Sequence, residues 1–210
     1  MHLILLTWEF PPRVVGEISR DMEKAAIELA KGDCRIDVIT IHETLVGLEK
    51  RKEKFNVHRV ATPIRSHPNV VTWALAWNTE MQRVATDIIA QSEEDTKLVH
   101  ASEWLCVSSA VQIKKILGIP FTFSLYSTEA ERSGGGPLGD SINYLEKKGC
   151  MEALAILVKK KQTLLDIQKS YGAPSDRIIL LDSRSRTLSS SLIQLANAMK
   201  PPKDGLVPGK

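Results

Sequence analysis

No stretch of this 210-residue sequence approaches the roughly 20 consecutive apolar residues of a membrane span, although 43% of its residues are hydrophobic. No membrane partner is therefore expected. An apolar strand stands at the N-terminus and Glu9 follows it closely, so a cleaved signal peptide is not expected either. Cysteine is scarce. Cys34, Cys106 and Cys150 are odd in number and far apart, which argues against a disulfide framework or a zinc site. They read as reduced thiols of a cytoplasmic protein, with no metal and no cofactor expected. Surplus charge is missing from the main body: residues 1–181 carry 23 basic and 23 acidic side chains, and residues 182–210 carry 5 and 2. A balanced body excludes nucleic acid as the expected partner, and a small basic surplus on a tail reads as solvated chain. The sequence also has no Gly-x-Ser-x-Gly elbow and no Gly-x-Gly-x-x-Gly fingerprint, and Gly134-Gly135-Gly136 carries no phosphate-loop lysine.

What is present alternates. Leu3 to Thr7 reads as an apolar strand running into Trp8-Glu9-Phe10-Pro11-Pro12, where two prolines force a turn. A helix from Ile18 to about Lys31 follows, with Ile18, Met22, Ala25, Ala26 and Leu29 on one face. Strands are expected at Arg35–Ile41, Phe55–Val60, Leu98–His100, Phe121–Leu125, Ala155–Val158 and Arg177–Leu181. Helices are expected from Pro68 to about Gln91, over Val107–Leu117, up to about Glu152, and over Lys160–Tyr171. Glu49 to Lys54 reads as a charged linker, and Lys159-Lys160-Lys161 as a solvated helix start. Short apolar strands between longer helices imply an α/β fold: a three-layer, Rossmann-like, mostly parallel sheet with helices on both faces. Ligands in such sheets sit outside the carboxyl ends of the strands, here the loops Glu9–Glu17, Ala101–Trp104 and Tyr126–Pro137. A strand, a glycine-bearing loop and a helix N-terminus can hold an anion through backbone N–H groups, but Glu17 would place a carboxylate in its path. One domain is expected over 1–181. Residues 182–210 read as a polar linker, a short amphipathic helix with Leu188, Leu192, Leu195 and Met199, and a disordered tail.

Trp8-Glu9-Phe10-Pro11-Pro12 with Val15-Gly16 resembles the first loop of GT-B glycosyltransferases of the retaining, glycogen/starch synthase-like group. His100-Ala101 with Glu103-Trp104, Phe123-Ser124 with Ser127 to Arg132, and Gly172 to Ile178 match further motifs in order. The resemblance implies the N-terminal, acceptor-side half of that fold, which faces a second, donor-binding lobe across a cleft. It implies hexosyl transfer, typically of glucose, from a nucleotide-diphosphate sugar to an oligosaccharide. Three positions depart from the family: Glu17 replaces a second loop glycine, Ser102 a His or Asp, and Tyr126 a histidine that contacts the transferred sugar. No intact catalytic residue is therefore expected.

The substrate-binding candidates are Gly16, Glu103, Trp104, Tyr126, Ser127, Glu129 and Arg132. Gly16 could contact a donor phosphate or simply turn the chain into the helix. Glu103 and Trp104 could hold a sugar acceptor, or Trp104 could pack under the helix it precedes. Glu129 and Arg132 could orient an acceptor or pair with each other. With the chain ending 29 residues after Leu181, the donor lobe is expected to be missing and the isolated chain inactive. The alternative is a non-enzymatic carbohydrate-binding or interaction module. Its expected partners are a second copy of itself or a separate subunit supplying the other half, with the Leu188–Met199 stripe as docking face.

Overall fold

Leu3 and Leu5 of β1 (His2–Thr7) face one side of a sheet and Ile4 and Leu6 the other, and all four are buried. A strand apolar on both faces must lie inside three layers. The structure, a computed structural model, describes residues 1–62, 64, 67–182 and 184–200. The expected disordered tail lies outside them from Pro201 onward.

After β1 come α1 (Glu17–Leu29), β2 (Arg35–Ile41), β3 (Gly47–Lys52), β4 (Phe55–Val60), α2 (Val70–Ala90) and β5 (Lys97–Ser102). A short 3₁₀ turn at Trp104–Cys106 leads into α3 (Val107–Leu117), β6 (Phe121–Leu125), α4 (Glu129–Ser133) and α5 (Gly139–Glu152). The chain continues through β7 (Ala155–Val158), α6 (Lys161–Tyr171), β8 (Ile178–Leu180) and α7 (Leu188–Ala198). The eight strands lie in the order β3-β4-β2-β1-β5-β6-β7-β8, parallel except for the β3–β4 pair. The expected mostly parallel α/β sheet is what the structure contains.

The sequence reading differs at one edge. Residues 49–52, expected within a charged linker, belong to β3, which pairs antiparallel with β4. Apolar alternation is absent because this is an edge strand: Glu49 pairs with Arg51 and Arg59, while Lys50 and Lys52 face solvent. Charges of that kind keep a bare sheet edge from pairing with other chains.

Two cores flank the sheet. One holds Trp77 and Met81 of α2, Val107 and Val111 of α3, Leu145 of α5 and Ile167 of α6. Gly149 on α5 is there for closeness: a Cβ would stand 2.8 Å from the Phe123 ring and 2.9 Å from Val107. Buried Asn78 of α2 ties this layer together, donating to the Leu105 carbonyl at 2.6 Å and accepting from the Ser109 amide at 2.8 Å. The second core is smaller and lies under α1 and α7, with Met22, Ala26 and Leu29 meeting Leu188, Leu192 and Ala196. Leu192 is fully buried, and the Ser189 hydroxyl bonds Glu28 of α1. The short amphipathic helix expected in this segment is α7, and it packs against α1. Its Leu188 and Leu192 are spent on α1, so that part of the stripe offers no docking face.

Candidate functional site at the carboxyl edge of the sheet

The parallel strands β1, β5, β6 and β7 all end on one edge, and the three loops singled out from the sequence gather there. Glu9 follows β1 and is fully buried. Its Oε2 accepts the N–H groups of Val15 at 2.6 Å and Gly16 at 2.7 Å. These are the first amides of the turn into α1, whose N-cap is Gly16 with extended backbone. Glu17, expected to stand in an anion's path, instead lies 63% exposed with its Oε2 3.3 Å from Lys159 Nζ. The carboxylate at the loop amides is that of Glu9.

Glu103 follows β5 with φ +65° and ψ 163°, a backbone region nearly reserved for glycine and costing about 1–3 kcal/mol for other residues. Its own amide donates to the Ser124 carbonyl at 2.9 Å and its carbonyl accepts from Cys106, which holds the conformation in place. The side chain is buried, with Oε1 accepting the Tyr126 N–H at 2.6 Å and Oε2 3.8 Å from the Arg132 guanidinium. Burial raises its pKa to about 7, because the Tyr126 amide and Arg132 offset only part of the lost hydration. Trp104, next in sequence, is buried in the larger core. Stacking a sugar on its ring would require the ring to leave that core.

Arg132 is the hub of the next cluster. Its guanidinium bonds Glu146, lies 3.1 Å from Glu129 Oε2, and donates to the Ser127 carbonyl and, at 3.3 Å, to the Ser127 hydroxyl. Glu146 also accepts from the Tyr171 hydroxyl at 2.5 Å and the Glu129 amide at 3.0 Å. Burial alone would lower the Arg132 pKa, but Glu146 outweighs it and holds the guanidinium above its ordinary value. α4, which carries Glu129 and Arg132, begins with a capping box of Thr128 and Glu131. The pattern Thr-x-x-Glu was legible, yet residues 129–133 were read as loop because five residues are too few for periodicity.

Tyr126 lines an open cavity of about 330 Å³ between α1, Lys159, Leu181, Asp182 and residues 186–189. Its hydroxyl donates to Asp21 Oδ2 at 2.9 Å, and its pKa is pushed well up by burial and by that carboxylate. Lys159 pairs with Asp21 and stands 4.7 Å from the Tyr126 ring centre, a cation–π distance. Sequence reading placed Glu9 on this edge but not at the loop amides, and missed Asp21, Glu146 and Lys159 as members of the edge. Lys159 is not simply solvated, and only the fold brings it to a residue 138 positions away. His100 lies apart from the edge groups, buried between the Thr122 and Ser124 hydroxyls at 2.9 and 3.2 Å, and burial lowers its pKa to about 3. Among the described residues no group of three His, Cys, Asp or Glu is placed to hold a metal, and no helix is long and apolar enough to cross a membrane.

No protein-family model matches the chain. An uncharacterized glycosyltransferase of Methanocaldococcus jannaschii is 29% identical over 180 residues, covering 85% of this chain and 45% of that protein. Glycogen synthase of Mycobacterium tuberculosis is 22% identical over 189 residues, again covering 45% of its length. The chain thus spans about half the length of the curated relatives it matches. Among solved structures, sucrose-phosphate synthase of Thermosynechococcus elongatus superposes with a TM-score of 0.70 at 12% identity, over 86% of this chain and 47% of that one. A shorter form of the same enzyme superposes with a TM-score of 0.65 over 94% of this chain and 98% of that one. The unmatched 6% is smaller than residues 188–210, so the likeness reaches into the C-terminal segment that packs on α1. The relatives and structural neighbours are glycosyltransferases of the glycogen, sucrose-phosphate and starch synthase kind with the GT-B fold, and these residues correspond to about half of such an enzyme.

Proposed function

We propose that the chain is the N-terminal, acceptor-side lobe of a glycogen synthase-like hexosyltransferase that uses a nucleotide-diphosphate sugar, and that the 210-residue polypeptide does not transfer sugar by itself. One observation carries this reading. A single sheet, matching half the length of its relatives, gathers the strained Glu103, Tyr126, Ser127, Glu129 and Arg132 at its carboxyl edge. Transfer between two bound substrates draws much of its acceleration from holding both in register. The described residues form one sheet, and thus one wall of such a cleft.

Incubating the purified chain with radiolabelled UDP-glucose or ADP-glucose and malto-oligosaccharides is expected to give no elongated product. Measurable turnover would overturn the inactive reading. Amide shifts on titrating maltoheptaose are expected to be weak, saturable and confined to the loops at 101–104 and 126–132. Shifts elsewhere, or none, would remove the acceptor-side assignment. A second reading, an interaction module pairing with a separate subunit, is favoured by Val14 and Val15, which stand 50% and 59% exposed on the β1–α1 loop. Concentration-independent sedimentation as a monomer, alone and beside the unmatched half of the M. jannaschii relative, would count against it.

A further inference from the structure

The amides at the head of α1 are already occupied. Glu9 Oε2 bridges two consecutive N–H groups, at 2.6 and 2.7 Å, in the geometry of a bound oxyanion at a helix N-terminus. Two further observations set Glu9 apart from an ordinary capping side chain. It is fully buried, and its second oxygen, Oε1, has no hydrogen-bond partner. A buried carboxylate with one oxygen unmatched is costly, and the Val15 and Gly16 amides just ahead of α1 are what hold it there. A Cβ added at Gly16 would stand 3.5 Å from Oε1, in ordinary van der Waals contact, so Oε1 faces the Gly16 backbone.

We propose that Glu9 is a built-in occupant of an oxyanion site made by the Val15 and Gly16 amides, and that a phosphate group reaches those amides only when Glu9 leaves or is replaced by a neutral side chain. Displacement is self-consistent in charge: one anion replaces another at the same two donors, and the orphaned oxygen regains water when the side chain swings out. This rests on the reading of the chain as one lobe of a transferase that uses a nucleotide-diphosphate sugar, but its test reads anion binding and needs no transfer.

The test follows the Val15 and Gly16 amide resonances of the 210-residue chain during titration with inorganic phosphate, with sodium chloride at matched ionic strength as the control. In the wild type these two resonances are expected to stay in place. In Glu9→Ala the melting temperature falls, and phosphate or acetate, but not chloride, shifts both amides saturably and restores part of the loss. The expected gain in phosphate affinity over wild type is at least about tenfold, the scale of a charge-assisted pair of bonds. Glu9→Gln guards against a variant that fails to fold: it keeps the shape, removes the charge, and is also expected to bind phosphate at these amides. Saturable phosphate shifts at Val15 and Gly16 in the wild type would overturn the proposal. So would the absence of anion binding in a folded Glu9→Gln. A chain that transfers sugar but shows rescue in Glu9→Ala would remove the inactive reading alone, and an inactive chain with a folded Glu9→Ala that shows no rescue would remove this proposal alone.

Discussion

Two buried carboxylates, one at each end of the sheet, behave in opposite ways. Asp37 lies on β2 near the edge where the strands begin. It accepts His2 at 2.8 Å, His58 at 2.7 Å, Asn56 at 3.0 Å and Arg35 at 2.9 Å. Burial alone would raise its pKa, but those hydrogen bonds pull it well below the usual carboxylate range. Glu103, at the opposite edge, has one close backbone donor and a guanidinium at 3.8 Å, and its pKa rises to about 7. Two carboxylates shielded from solvent thus shift in opposite directions, and the count of donors decides between them. The amino edge is electrostatically finished. The carboxyl edge keeps one acid near neutrality in a strained backbone, which is how functional edges differ from structural ones.

Breaking the finished end should cost most. Asp37→Ala leaves His2, His58, Asn56 and Arg35 without their common acceptor and is expected to lose about 3–5 kcal/mol in urea unfolding at pH 7. A loss near 1 kcal/mol would show that the network adds little. Because the folded pKa lies below the unfolded one, Asp37's contribution is present above about pH 4 and fades as the solution is acidified.

Glu103 should show the reverse dependence. Its folded pKa of about 7 exceeds the unfolded value, so its contribution is present below about pH 4 and is lost as pH rises through 7. Glu103→Gln is expected to flatten the stability profile and to exceed wild type at pH 8 by about 3 kcal/mol. Identical pH profiles for the two proteins would contradict the account of this edge.

Arg132→Met tests the cluster beside it. Glu146, fully buried, would keep Tyr171 but lose its cation, and the expected cost is about 2 kcal/mol after discounting for the guanidinium's partial exposure. Arg132→Lys should recover part of that. The smallest effect belongs to Tyr126→Phe, which removes the hydroxyl bond to Asp21 but leaves the ring under Lys159, at about 1 kcal/mol. A larger loss would show that the hydroxyl anchors more of the loop than Asp21.

Much of this contrast could be read from the chain, and some could not. The strands β1, β2, β4, β6 and β7 announce themselves as short apolar runs, and α3 ends at Gly118, whose φ of +70° suits glycine, as its sequence implied. The loops carrying Glu103, Tyr126 and Arg132 were placed at the carboxyl edge by topology alone. What stayed hidden depends on long-range contact. β3 lacks an apolar face, so it resembled a linker. Lys159 was one of three lysines until the fold set it against Asp21 and Tyr126. Glu9 was read as part of a motif, while the neighbouring Glu17 drew the expectation of a blocking carboxylate. Which of two nearby acids turns inward is decided by backbone geometry, and sequence spacing carries no sign of it.

The most direct measurement is calorimetric titration of UDP-glucose and ADP-glucose into the 210-residue chain near pH 7. The expected result is no saturable heat up to millimolar concentration, because Glu9 fills the α1 amides and Arg132 and Lys159 are committed to neighbouring carboxylates. A stoichiometric isotherm at micromolar concentration, abolished by Tyr126→Ala, would contradict the account.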